Sequence, residues 1–278
     1  MLLDLTIAIP VKNEENSLKG CLDAIGPDLA KKIIVIDSGS TDRTRAIAET
    51  YGAEVVDFKW DGRYPKKRNW FLQNHAPLTK WILFLDADEH LTLDFKQELR
   101  DALTNGSDGI AGYWLKYTIF FMGKNLKGGY PLYKLALFKV GAGEYERIDE
   151  DQWSKLDMEI HEHPVLNGET GKFKNKIDHM DFRGISHYVI KHNEYASWEA
   201  KRYMTAVNDP VVRESWTWKQ KIKYRLMRSV FIGPVYFFGS YILLGGFRDG
   251  KRGLSFAIMK MSYFNQVYCM IQELKINK

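Results

Sequence analysis

The sequence predicts an α/β fold on a mainly parallel sheet. Short, β-branched apolar runs recur through its first third, polar residues close each run, and stretches of helical length separate one run from the next. The chain has 278 residues, 45% apolar and 27% charged. That is enough core-forming material for one large domain or two smaller ones, and it excludes a mostly disordered chain.

The first run, Leu5–Pro10, has strand length. Asp4 interrupts it and no basic leader precedes it, so a buried strand is expected here rather than a signal peptide. Lys12–Asn16 is a polar turn, and Ser17 can cap a helix running to about Ile25. Ile33–Ile36 is a second strand, closed by Asp37; Ser40 or Thr41 can cap the helix that follows, to about Tyr51. Glu54–Phe58 reads as a third strand, Lys66–Asn74 as a helix, Trp81–Leu85 as a fourth strand ending at Asp86, and Leu93–Leu103 as another helix. Beyond Asp108 the pattern changes. Gly112–Phe121 and Lys134–Val140 read as strands, Asp157–Val165 mixes carboxylates with histidines, and Ile185–Val207 reads as a long helix. A basic segment, Trp216–Arg228, leads into the uncharged run Val230–Phe247 and a last amphipathic helix at about Leu254–Leu274.

In open parallel sheets, ligands bind beyond the carboxyl ends of the strands. Asn13-Glu14-Glu15, Asp37-Ser38 and Asp86-Ala87-Asp88 each close a strand, so all three should gather on one edge. Asp86 and Asp88, two residues apart, could hold a hard divalent cation with diphosphate oxygens completing its shell, or simply form a solvated acidic turn. Asp37 could accept from a base N–H or a ribose hydroxyl, or cap its helix. Lys66, Lys67 and Arg68 open a helix, where anions bind favourably, or form a solvated basic face. Among His161, His163 and His179, the last is the best candidate for an added metal ligand, against the commoner role of a hydrogen-bonding structural histidine.

Four pieces come in order: Ile9-Pro10-Val11-Lys12-Asn13-Glu14-Glu15, Ile36-Asp37-Ser38-Gly39-Ser40-Thr41-Asp42, Gly62…Lys67-Arg68-Asn69, and Leu85-Asp86-Ala87-Asp88. This series resembles the family 2 glycosyltransferases of the GT-A fold, a Rossmann-like architecture for nucleotide-diphospho-sugar transfer. Glu159-Ile160-His161-Glu162-His163, Tyr188…Lys191-His192-Asn193…Tyr195…Glu199-Ala200, and Gly245-Gly246-Phe247-Arg248-Asp249-Gly250…Gly253 resemble the lipopolysaccharide-core and exopolysaccharide branch of that family. The resemblance implies inverting transfer from a nucleotide sugar, a UDP-sugar by default, to a hydroxyl of a lipid-linked glycan, with Mn²⁺ or Mg²⁺. It implies a nucleotide-sugar pocket of Pro10, Asn13, Glu14, Glu15 and Asp37, with Lys67, Arg68 and Asn69 near the nucleotide. Asp86 would face the ribose, Asp88 would hold the metal, and His179 would add a ligand. The base comes from a carboxylate in the second half of the domain. Asp149, Glu150, Asp151, Glu159 and Glu162 are the candidates; Glu162 is favoured and Glu159 is the alternative, although this stretch departs from the family's commoner glutamate-aspartate pair.

The net charge of +5 is uneven. Residues 213–278 hold 12 Lys+Arg and 3 Asp+Glu, a net of +9, which leaves −4 for residues 1–212. The expected division is a catalytic domain, 1–212, and a basic, apolar helical extension, 213–278. Lys219, Lys221, Lys223, Arg225 and Arg228 are interleaved with aromatics and stand beside the Val230–Phe247 run, which suits an anionic membrane surface rather than a nucleic-acid groove. A helical subdomain packed on the body, or on a second subunit in a homo-oligomer, is the plainer reading. Two cysteines, Cys21 and Cys269, cannot build a disulfide framework, so a reducing compartment is expected; the basic, apolar tail and the family resemblance add the expectation of a peripheral place on the cytoplasmic membrane face. A nucleotidyltransferase would show a Gly-rich, basic loop after the first strand, where this chain has Lys12-Asn13-Glu14-Glu15. A catalytically dead scaffold would have no need of Asp86 and Asp88.

Overall fold

The computed structural model describes residues 1–105, 109–147, 157–159, 163–214 and 216–277. In chain order its elements are β1 (Leu3–Val11), α1 (Leu18–Ile25), β2 (Ala30–Asp37), α2 (Thr44–Thr50), β3 (Glu54–Asp57), α3 (Lys67–Asn74), β4 (Trp81–Phe84), β5 (Glu89–His90), α4 (Leu93–Asn105) and β6 (Ile110–Tyr117). There follow β7 (Phe120–Phe121), β8 (Lys124–Asn125), β9 (Leu132–Lys139), β10 (Gly143–Tyr145), β11 (Pro164–Leu166) and β12 (Glu169–His179). The rest is helical: α5 (Ile185–Asn208), α6 (Pro210–Glu214), α7 (Trp218–Leu226), α8 (Ile232–Phe238) and α9 (Gly250–Ile276).

The chain divides into two compact units, Met1–Ile119 with Leu132–Asp181, and Phe120–Pro131 with Phe182–Lys278. The first is the expected α/β body. Its eight-stranded sheet has the order β3-β2-β1-β4-β9-β6-β12-β5. β3, β2, β1 and β4 run parallel, as do β6 and β12, while β9 is antiparallel to both neighbours. The strand alternation buries both sheet faces. On β1, Leu5, Ile7, Ile9 and Val11 face one core while Ala8 faces the other; on β4, Trp81 and Leu83 split from Ile82 and Phe84 in the same way. α1 presents Leu18, Cys21, Leu22 and Ile25 to the first core, the spacing of one helical face, and α4 adds Phe95 and Leu99; Phe71 of α3 fills the second.

α2 starts three residues beyond the expected cap. Ser40 donates to Asp37, and the Thr41 amide donates to Asn13, so neither is left to open the helix. β6 ends at Tyr117, and Phe120–Phe121 begin a separate hairpin with β8. β12, the longest strand among the described residues, was not legible as one because Lys172, Lys174 and Lys176 recur along it and leave Phe173 and Ile177 as its buried apolar residues.

The second unit carries the β7–β8 hairpin and is otherwise helical, with one apolar core among its described residues. Ala196, Ala200 and Tyr203 on α5 pack with Tyr263, Phe264, Val267 and Ile271 on α9. That stripe explains why the division falls before α5 and not after residue 212. Val230–Phe247 folds as α8, a π turn (Gly239–Leu243) and the start of a 3-10 turn (Gly246–Asp249). Among the described residues, no helix is long and apolar enough to cross a membrane. The Gly245…Gly253 motif acts here as a packing lock: a Cβ on Gly253 would sit 1.9 Å from the Gly246 carbonyl oxygen, and one on Gly128 would sit 2.2 Å from the Gly245 oxygen. Asp249 secures the same loop by accepting from the Lys127 amide at 2.9 Å and the Gly128 amide at 2.9 Å.

Candidate active site

Sheet topology builds the site. The parallel strands β1, β2, β3 and β4 end on one edge; β6 and β12 end there too, because β9 reverses direction between β4 and β6. β9 therefore brings its first residues to this same edge, and Lys134 with them. Val11, Asp37 and Asp57 stand in register at the ends of β1, β2 and β3.

Asp86 follows β4 and is clamped by two cations. Arg68 donates to its Oδ1 at 2.7 Å and Lys134 to its Oδ2 at 2.6 Å. Lys134 also donates to Glu89, whose other oxygen accepts from the Asp86 amide at 3.1 Å. Burial opposes ionisation of Asp86, but Lys134 and Arg68 outweigh it and hold the carboxyl well below the usual carboxylate range. Glu89 is 1% exposed. Burial, joined by repulsion from Asp86, pushes it up to about 7 although Lys134 pulls the other way. Desolvation works against the charge on Lys134, yet the two carboxylates raise its pKa well above that of an ordinary lysine.

Asp88 lies next to the end of β12. β5 pairs antiparallel with β12 so that His179 stands opposite Glu89, and His179 Nε2 lies 3.6 Å from Asp88 Oδ1. Asp181 completes the group: one ligand atom from each of Asp88, His179 and Asp181 lies within 4.8 Å of the others. Two carboxylates and one imidazole suit a divalent cation with open positions for phosphate oxygens. The pairing of Asp88 with His179, 91 positions apart in sequence, is a product of the β5–β12 ladder.

The residues expected on the nucleotide side lie along the neighbouring loops. Pro10 is buried in β1 opposite Ile36. Asn13, with φ at 56°, donates its amide to Ser40 Oγ at 2.9 Å, and its Oδ1 accepts from the Thr41 amide at 2.8 Å. The Glu14 amide donates to Thr44 and the Glu15 amide to Asp42, which stitches the loop after β1 to the loop after β2. Asp37 is 2% exposed and accepts from the Ser40 amide and hydroxyl at 3.0 and 2.6 Å. Lys67 is buried, donates to the Val11 carbonyl at 3.2 Å and pairs with Asp157 at 3.3 Å; burial lowers its pKa and Asp157 partly offsets that. Asn69 pairs reciprocally with the Tyr145 backbone, at 2.9 and 2.8 Å, and so pins β10 to α3.

Glu159, the alternative base, is 3% exposed, and its two oxygens accept from the Arg68 and Asn69 amides at 3.0 and 3.2 Å. It satisfies the open amides at the α3 N-terminus. Glu162, His161, Asp149, Glu150 and Asp151 lie outside the described residues. Sequence reasoning passed over Lys134, Asp157, Glu89 and Asp181. Two of these had a signal: Lys134 interrupts an apolar strand, and Asp181 follows His179 at the spacing that separates Asp86 from Asp88.

The fold and this edge define an α/β protein with a metal-competent acidic cluster where open sheets bind nucleotides. The chain belongs to glycosyl transferase family 2, whose profile matches residues 6–145. It is similar to the lipopolysaccharide core biosynthesis glycosyltransferase LpsC of Rhizobium meliloti, with 25% identity over 90% of this chain and 85% of that protein. An uncharacterised glycosyltransferase of Rickettsia felis is 32% identical over 69% of this chain and 68% of its own length. Among solved structures, glucosyl-3-phosphoglycerate synthase from Mycobacterium tuberculosis, with Mn²⁺, UDP and glucosyl-3-phosphoglycerate, aligns at 26% identity over 40% of this chain and 43% of that chain, with a TM-score of 0.33. The α/β class and the family are those the sequence motifs imply. His179 and Asp181 fall beyond the matched segment.

Proposed function

We propose that this chain is an inverting, divalent-metal-dependent transferase that moves a sugar from a nucleoside-diphosphate sugar, by default a UDP-sugar, to a hydroxyl of a lipid-linked glycan. Its setting is lipopolysaccharide or related envelope polysaccharide synthesis, at the cytoplasmic face of the membrane, with the basic segment 213–278 meeting the anionic surface. The observation that carries the chemistry is the meeting of Asp88, His179 and Asp181 within 4.8 Å beside a doubly clamped Asp86. Similarity to LpsC supports the pathway.

In this reading Asp88, His179 and Asp181 hold Mn²⁺ or Mg²⁺. The cation, when bound, neutralises charge on the departing diphosphate. Asp86 stays ionised between Arg68 and Lys134 and accepts from a ribose hydroxyl through its remaining lone pairs. Asp37 accepts from the base or ribose, and Asn13, Glu14 and Glu15 wall the nucleoside side. Arg68 and Lys67 add positive charge on the diphosphate side. Glu162 takes the acceptor proton as the acceptor oxygen bonds to the anomeric carbon and the bond to the diphosphate oxygen breaks on the opposite face.

The test is donor turnover by the full chain with a panel of nucleotide sugars and Mn²⁺, beside Asp88→Asn. Donor-dependent release of nucleoside diphosphate, lost in Asp88→Asn, supports the proposal. No nucleotide-sugar binding, or an Asp88→Asn chain as active as the parent, refutes it. Nucleotidyl transfer would instead release pyrophosphate from a nucleoside triphosphate.

A further inference from the structure

α8 and the π turn after it form one helical stretch that is apolar on both sides. Ile232, Gly233 and Ser240 are buried in the helical unit, and Tyr236 stacks on Phe264 with ring centroids 3.4 Å apart. On the other side Phe231, Val235, Phe238 and Ile242 recur at helical spacing and are exposed, and Leu243 and Phe247 extend the stripe. Phe231 is 67% exposed and Leu243 84%. A helix at a water-facing surface carries polar residues on its outer side, whereas 230–247 carries no charge at all. Single exposed apolar side chains are ordinary; six in one stripe mark a contact surface. The charges stand at the two ends instead: Arg225 and Arg228 before the stripe, Arg248, Lys251 and Arg252 after it, all exposed.

We infer that the Phe231–Phe247 stripe is an interfacial insertion face, which lies in the plane of a bilayer with its apolar side chains in the acyl boundary and its five flanking cations among anionic headgroups. The inference deepens the membrane reading above and rests on it. The stripe is too short, and too broken by the π turn and Gly245, to span. Its charge pattern selects the occupant. A two-fold contact between copies sets the same patch against itself, which would crowd like-charged rims together. An anionic lipid surface meets the same cations with opposite charge.

The experiment is vesicle flotation of the full chain, with phosphatidylcholine alone and with added phosphatidylglycerol, beside Phe231→Ser, Phe238→Ser and Leu243→Ser. The expected result is flotation that requires phosphatidylglycerol, weakens with salt, and falls about tenfold for each phenylalanine removed. The variants should keep the parent melting temperature, because the side chains changed are solvent-exposed. Flotation indifferent to Phe231→Ser and Phe238→Ser together, or a dimer in light scattering that this pair of changes dissociates, overturns the inference. Donor binding is measured on the same samples. A chain that binds UDP-sugar yet never floats overturns the stripe alone; one that floats yet binds no nucleotide sugar overturns the transferase reading alone.

Discussion

Replacing Lys134 by methionine tests whether the acidic edge is held by a buried charge network. Lys134 is the cation shared by Asp86 and Glu89. In the variant, Arg68 still pairs with Asp86 at 2.7 Å, but Glu89 keeps no cationic partner among the described residues. Stranding a buried charge by removing its partner costs about 3–5 kcal/mol. Glu89 can avoid that cost by holding its proton, and its pKa is already raised from 4.5 to about 7. Protonating a group of unfolded pKa 4.5 costs about 0.7 kcal/mol at pH 5 and about 4.8 kcal/mol at pH 8, at 1.36 kcal/mol per unit. The loss from Lys134→Met should thus be about 4 kcal/mol at pH 8 and about 1 kcal/mol at pH 5. Urea unfolding at the two pH values measures it, and Glu89→Gln in the same chain should recover most of the alkaline loss. A loss below about 1 kcal/mol, equal at both pH values, would mean that the network is solvent-screened and that the reasoning fails.

Three further outcomes follow from other parts of the molecule. Asp88→Asn should weaken Mn²⁺ binding at least about tenfold, read by titration calorimetry on the full chain, because one of three clustered ligands loses its charge. Lys260 lies over the rings of Tyr130, Phe256 and Tyr263 at 5.5–6.0 Å, and burial lowers its pKa to about 8. Between pH 8 and 10.5 the unfolded chain binds the extra proton, so this lysine makes stability rise with pH across that window; Lys260→Met should remove the rise and stabilise the protein at pH 7 by about 1–3 kcal/mol, checked by denaturation curves at pH 7 and 10. Asp249→Ala leaves the Lys127 and Gly128 amides without their acceptor, for a loss of about 1–3 kcal/mol and faster proteolysis between residues 120 and 131.

The first third of the chain was legible because its signals are local. A short apolar run closed by Asp37 or Asp86 specifies a strand and its polar end, whatever surrounds it, and the spacing of Leu18, Cys21, Leu22 and Ile25 specifies a helical face. The expectation that Asn13, Asp37 and Asp86 share an edge followed from parallel strand order alone. Local signals also misplace things. Ser40 is a good capping residue by type, yet Asp37 sits within its reach and takes its hydroxyl. Glu159 has the chemistry of a base, yet it packs on the α3 N-terminus and gives both oxygens to backbone amides.

By itself, the sequence determined the first four strands of the α/β body and the helices between and after them, the acidic pair Asp86 and Asp88, and the apolar run beside a basic segment, since each depends on neighbours within a turn or a strand. Only the tertiary structure decided which partners those residues keep. Lys134 reaches Asp86 because β9 runs against β4, and His179 and Asp181 reach Asp88 because β12 pairs with β5. Those contacts close loops of tens of residues and are set by strand order and register, quantities that no local pattern of residues encodes.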